Sequence, residues 1–122
     1  MAKILVVEDI QDTLSFMKSM LELQGFDVVV AEDGQEGLKQ ACSESPDLVI
    51  TDISMPVLSG IDMIKQLRTT PEGKNLPILA ITSYGIERAM QAIKVGADRA
   101  LPRPVENHLL LAFVHDLLPK SL

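Results

Sequence analysis

Three carboxylates follow two apolar runs in this chain. Glu8 and Asp9 come directly after Lys3-Ile4-Leu5-Val6-Val7, and Asp52 comes directly after Leu48-Val49-Ile50-Thr51. Both runs have the length and β-branched content of buried strands. In an open parallel sheet, ligands bind beyond the carboxyl ends of the strands. If the two strands are neighbours, the three acids converge on one pocket. Two unit charges about 4 Å apart repel by roughly 4 kcal/mol at an effective dielectric of about 20. A cluster of this kind must hold a cation or raise a pKa, unless its strands are wrongly assigned.

Two further residues belong to the same set. Thr82 ends another apolar run, Ile78–Ile81, and Arg103 stands between Pro102 and Pro104 after a short run at Arg99–Leu101. Each has an ordinary reading when taken alone. Asp9 can cap a following helix, Asp52 can be a cap or turn residue, Thr82 a β-branched strand residue, and Arg103 a solvated loop charge. Together they supply what phosphoryl transfer needs. A carboxylate nucleophile accepts the group. Hard oxygen ligands hold a divalent ion. A hydroxyl and a fixed cation bind the phosphoryl oxygens.

The elements that must position these residues alternate along the chain. Strands are predicted at Lys3–Val7, Asp27–Ala31, Leu48–Thr51, Ile78–Ile81 and Arg99–Leu101. Helical periodicity falls at Gln11–Leu23, Gln35–Ser43, Gly60–Arg68, Glu87–Val95 and Val105–Leu118. Turn signals separate them at Gln24-Gly25, Asp33-Gly34, Ser45-Pro46, Thr70-Pro71-Glu72-Gly73, Leu76-Pro77 and Val95-Gly96. Alternating strands and helices predict an α/β fold, with a parallel sheet covered on both faces. In the first helix, Ile10, Leu14, Met17 and Leu21 form the expected core stripe, and Phe16, Met20 and Leu23 form a second one. The last helix is apolar over more than half its circumference. That width reads either as a broad core face or as a docking or homodimer surface.

Composition narrows the function classes. A chain of 122 residues with 47% hydrophobic residues fits one globular domain, 1–122. Aromatic residues make up 3% and Trp is absent, so the core must be aliphatic. A net charge of -6 argues against direct nucleic-acid binding. Cys42 is the single cysteine, so no internal disulfide can form, and it reads as a half-buried helix thiol. No apolar run is long enough to span a membrane, and no basic and apolar leader opens the chain. The expected location is cytoplasmic.

The motifs carry a resemblance that covers essentially the whole chain. Ile4-Leu5-Val6-Val7-Glu8-Asp9, Ala31-Glu32-Asp33-Gly34-Gln35-Glu36-Gly37-Leu38, Pro46 through Pro56, Ser59-Gly60, Ile81-Thr82-Ser83 and Gly96-Ala97-Asp98 resemble the receiver domains of two-component response regulators, the CheY-like family. The most specific of these is Asp52-Ile53-Ser54-Met55-Pro56 followed by Gly60. The resemblance implies a doubly wound, flavodoxin-like sheet of five strands in the order 2-1-3-4-5. It implies that Asp52 accepts a phosphoryl group from a sensor histidine kinase or a histidine phosphotransfer protein. It further implies that Asp9, Asp52 and the backbone carbonyl of Ser54 coordinate Mg2+, with Glu8 acting mostly through water. Thr82 and Arg103 would contact the phosphoryl group, and the phosphorylated state would switch binding of a downstream protein. The protein would then be a signalling switch that catalyses its own aspartyl phosphorylation, rather than an enzyme acting on other substrates.

Two positions depart from the family pattern. Arg103 stands where the family has Lys, and Ala100 stands where the family usually has Tyr or Phe on the fifth strand. With Ala100 there, the Thr–aromatic readout that the resemblance implies has no ring on the fifth strand to move. Tyr84, the single tyrosine, reads either as a substitute aromatic or gate at the pocket rim, or as a loop residue without a role. Other readings stay open. A receiver-like scaffold could bind partners without phosphorylation. A phosphohydrolase would carry a second Asp two residues after the nucleophile, where Ser54 stands. A flavodoxin-like cofactor binder would need a Ser/Thr/Gly-rich loop where Glu8-Asp9 stand. The opening Met1-Ala2-Lys3 reads as a natural start, either of a free-standing regulator or of the N-terminal receiver of a longer protein.

Overall fold

A computed structural model describes residues 1–55, 58–83 and 85–119. Five strands alternate with five helices: β1 (Lys3–Val7), α1 (Gln11–Leu23), β2 (Asp27–Ala31), α2 (Gly34–Ser43), β3 (Leu48–Asp52), α3 (Gly60–Leu67), β4 (Ile78–Thr82), α4 (Gly85–Val95), β5 (Arg99–Pro102) and α5 (Asn107–Leu117). All pairings are parallel and the sheet order is β2-β1-β3-β4-β5. Boundaries move from the sequence expectation by one or two residues. The functional shift is that Asp52 and Thr82 are the last residues of their strands.

The register explains why every strand is apolar on both faces. Ile4 pairs with Leu48 and Leu5 with Val49, and Val49 pairs in turn with Ile78. Side chains alternate along a strand, so neighbours in register share a face. Leu5, Val7, Val49, Ile78 and Ala80 therefore join Met63, Ile64 and Leu67 of α3 with Ala41 of α2 and Ala92 of α4. Ile4, Val6, Leu48, Ile50, Leu79 and Ile81 join Leu14, Met17 and Leu21 of α1 with Leu110, Val114 and Leu118 at α5. Helices α1 and α5 cover one face; α2, α3 and α4 cover the other.

Three expectations about the helices change. Ile10 leaves the predicted core stripe: it is 57% exposed and serves as the N-cap residue of α1. Asp9 therefore does not cap that helix, because the cap position falls one residue later and makes no side-chain hydrogen bond. The wide apolar face of α5 is mostly absorbed. Leu111, Phe113, Leu117 and Val105 pack half-buried against the α1-side core, and only Leu109 stands out, at 43% exposure. The more exposed apolar stripe lies on α4, at Ile86, Met90 and Ile93. These repeat at i, i+4 and i+7, on the side away from buried Ala89 and Ala92.

One clamp at the opposite end of the sheet from the acids was not legible in sequence. The guanidinium of Arg68, the C-cap of α3, donates to the carbonyls of Gly73, Leu76 and Gly96 and to the Asp98 carboxylate. Asp98 in turn accepts from the Ile78 amide at the start of β4. The planar fork ties the α3–β4 and α4–β5 connections together.

Candidate phosphoryl-transfer site

The central strands set the site. β1 and β3 are neighbours, with Val7 opposite Thr51, so the residues that follow meet at one edge. Glu8, Asp9 and Asp52 each present a carboxylate oxygen, and these oxygens lie within 4.8 Å of one another. The β1 and β3 runs thus bring together the three acids predicted to converge.

The backbone around Asp52 is fixed from several sides. The Thr51 hydroxyl donates to the Asp52 carbonyl at 2.7 Å, and the Ser54 amide donates to Asp52 Oδ1 at 3.2 Å. The Gly60 amide donates to the Ile53 carbonyl at 3.1 Å. A Cβ at Gly60 would lie 2.3 Å from the Asp52 carbonyl oxygen, so only glycine permits this approach. Ser59 then caps α3 by accepting from the Asp62 amide. Gly60 was singled out in sequence by its motif; its contact with Asp52 explains the motif physically.

The electrostatics are dominated by Glu8, which is 1% exposed. Burial, then the charge of Asp52, push its pKa up to about 7 from 4.5. The Ile10 amide and Arg103 pull the other way. Arg103 Nη2 lies 2.6 Å from Glu8 Oε1, and the Ile10 amide donates to Oε2 at 3.3 Å. A 2.6 Å ion pair by itself would favour the charged carboxylate. Arg103 is partly open to water while Glu8 is sealed, so desolvation and the second carboxylate outweigh it.

Arg103 is thus not a solvated loop charge. Its side chain reaches the acidic cluster through Glu8, while its amide donates to the Thr82 carbonyl at 2.7 Å. Thr82 is buried at the end of β4. Ala100 pairs with Ala80 and packs half-buried against the α3-side core. Tyr84 and Pro56, which the sequence reading singled out, lie outside the described residues.

The donor set suits a hard divalent cation, since three carboxylates converge and no thiolate or imidazole is among them. Beside them, Ser54 Oγ is the one buried side-chain polar atom among the described residues without a hydrogen-bond partner. A cavity of about 500 Å³ opens next to Arg103, between α1 and α5, with Phe16, Met17, Met20 and Leu110 in its walls. The second apolar stripe of α1 was its only sequence signal.

A doubly wound parallel sheet with an acid cluster at the ends of its first and third strands defines a receiver fold. The chain belongs to the response regulator receiver domain family, whose model matches residues 4–115. It is 37% identical over 122 residues to the transcriptional regulatory protein CpxR of Escherichia coli, covering 99% of this chain and 51% of that protein. The chain spans about half the length of the curated relatives it matches. Among solved structures, the chemotaxis response regulator CheY4 of Vibrio cholerae is similar at a TM-score of 0.89 and 32% identity, covering 97% of this chain and 99% of that one. The receiver domain of the sensor histidine kinase PA1611 of Pseudomonas aeruginosa, solved with a magnesium ion in its active-site cleft, has the same fold at a TM-score of 0.89 and 24% identity, covering 95% of this chain and 96% of that one. The chain is a receiver of the two-component response regulator class. No helix among the described residues is long and apolar enough to cross a membrane.

Proposed function

We propose that Asp52 is the phosphoacceptor of this receiver, and that residues 1–122 work as one cytoplasmic, phosphorylation-controlled switch. The observation that carries this is the convergence of the Glu8, Asp9 and Asp52 oxygens within 4.8 Å at the edge of β1 and β3. An Asp52 oxygen attacks the phosphorus of a phosphohistidine on a sensor kinase or phosphotransfer protein. The P–N bond breaks, its electron pair stays with the imidazole, and an acyl phosphate forms on Asp52. Asp9, Asp52 and the Ser54 carbonyl would hold Mg2+, with Glu8 acting through water. When bound, such an ion neutralises charge on the transferring group. The Ser54 amide and the Thr51 hydroxyl keep the Asp52 main chain and carboxylate in place. Thr82 and Arg103 stand at the neighbouring strand ends to contact phosphoryl oxygens. The domain catalyses this step on itself and has no separate substrate to turn over.

Output would pass to a downstream protein partner rather than to nucleic acid, given the net charge of -6. The exposed α4 stripe of Ile86, Met90 and Ile93 is a stronger docking or homodimer surface than α5, whose apolar residues are mostly taken by the core. The test is intact-mass spectrometry after incubation with acetyl phosphate, with and without Mg2+. One added phosphoryl group is expected, dependent on Mg2+ and absent in Asp52→Asn. No added mass in the wild type would leave the phosphorylation-independent scaffold as the reading.

A further inference from the structure

We infer that the cavity between α1 and α5 binds a small molecule with an apolar body and one carboxylate group. Such a site works beside the acid cluster, whether or not Asp52 is phosphorylated. The cavity has about 500 Å³, within the roughly 300–1,000 Å³ of small-molecule pockets. Close-packed interiors hold few voids larger than a water molecule, so a space of this size is not ordinary packing slack. Its floor is apolar, because Met17, Ile81 and Leu110 line it and belong to the buried α1-side core. Phe16 and Met20, from the second apolar stripe of α1, line it further out. Phe16 stays 55% exposed, so this stripe is not used up by the core. The unbranched thioethers of Met17 and Met20 adapt to the shape of an apolar guest.

The polar side fixes the class of ligand. The chain carries a net charge of -6, yet no carboxylate is among the described residues that line the cavity. Arg103 is the one charged side chain among them. Its Nη2 donates to Glu8 Oε1, while Nε and Nη1 have no partner among the described residues. A guanidinium has five N–H donors in a planar fork, so the Glu8 pair leaves donors for a second acceptor. A ligand carboxylate therefore binds Arg103 without displacing anything from the acid cluster. Thr13, Ser83 and Asn107 add two hydroxyls and an amide to the same lining. One cation, already shared with Glu8, suits a single negative charge, and an ammonium group would meet it as like charge.

The experiment is titration of the full chain with decanoate, read by calorimetry and by methyl NMR of its methionines. The Met17 and Met20 signals are expected to shift and saturate with a midpoint below about 1 mM. Met90, on the exposed α4 stripe, is expected to stay still. Decylammonium, with the same chain and the opposite charge, is expected to bind at least about tenfold more weakly. Arg103→Gln is expected to weaken decanoate by about tenfold and to leave decylammonium no weaker. Phe16→Ala truncates an exposed side chain and is expected to weaken both amphiphiles alike. The wild-type comparison of the two amphiphiles needs no variant, so it decides the matter even if Arg103→Gln fails to fold. A midpoint above about 1 mM, a Met90 shift with the same midpoint, or full affinity in Phe16→Ala would mark adventitious binding and overturn the site. Equal affinity for the two amphiphiles, or undiminished decanoate binding by Arg103→Gln, would overturn the carboxylate assignment and leave an apolar groove for a protein side chain. Each of these outcomes leaves the phosphorylation test at Asp52 untouched.

Discussion

Glu8 should make the metal-free protein less stable as pH rises through neutrality, and Glu8→Gln should remove that dependence. Its carboxyl is pushed up to about 7 from 4.5, first by burial and then by Asp52. Between those values the folded state holds a proton that the unfolded state has lost. Stability falls with pH wherever the folded state binds more protons. The contribution is thus fully present below about 4.5 and is lost as pH rises through about 7. Integrated between pH 5 and pH 8, this amounts to roughly 2–3 kcal/mol. The assay is denaturant unfolding in a chelator across that range, for the wild type and for Glu8→Gln. Gln keeps the volume but leaves either Arg103 or the Ile10 amide short of an acceptor. That adds a constant offset of about 1 kcal/mol and does not alter the slope. Carboxylates remote from Glu8 titrate alike in both proteins and cancel in the difference, and the coupled Asp52 is read as part of the Glu8 effect. The wild type should lose roughly 2–3 kcal/mol relative to the variant on going from pH 5 to pH 8. Parallel curves would show that the Arg103 pair holds Glu8 at an ordinary value, and would refute the dominance of burial.

Other outcomes follow from the same geometry. Mg2+ at about 100 times its dissociation constant should stabilise the wild type by roughly 2.7 kcal/mol, seen as a raised melting temperature, and Asp9→Ala should abolish the rise. In the absence of metal, Asp52→Ala should melt higher than the wild type above pH 7, because it removes one of three converging carboxylates where Glu8 is charged. Gly60→Ala should destabilise by roughly 3 kcal/mol and impair phosphorylation, because its Cβ would meet the Asp52 carbonyl. Arg68→Ala should lower stability by roughly 3 kcal/mol in chemical unfolding, by leaving the carbonyls of Gly73, Leu76 and Gly96 without their donor, while intact-mass phosphorylation of the folded protein persists.

The parts of the molecule that could be read in advance are those set by local pattern. Mostly apolar runs of three to five residues between turn signals placed all five strands, because a doubly covered sheet needs no polar face. Glu8, Asp9 and Asp52 were legible because an acid straight after a buried run has few structural roles. Sheet order came only with the family resemblance, since non-adjacent pairing such as β1 with β3 leaves no local trace. Ile10 was misplaced because helical periodicity, carried back from Leu14, ran one residue past the true start, into the cap. The last helix looked too apolar for one face, but residues at its flanks reach back onto the core. Arg103 was visible as a cation at a strand end, yet its partner was not. Which of three carboxylates it meets depends on how the β5–α5 connection approaches the sheet edge. Arg68 gave no signal, because its acceptors are backbone carbonyls in two distant loops.

The central claim is that the acyl phosphate forms on Asp52 and nowhere else. Borohydride reduces an acyl phosphate on Asp to homoserine, which marks the site permanently for peptide mass spectrometry. After phosphorylation with acetyl phosphate and Mg2+, reduction should convert residue 52 alone, and the Asp52→Asn protein should show no conversion. Homoserine at Asp9 or another acid, or no conversion in a wild type that has gained a phosphoryl group, would contradict the assignment.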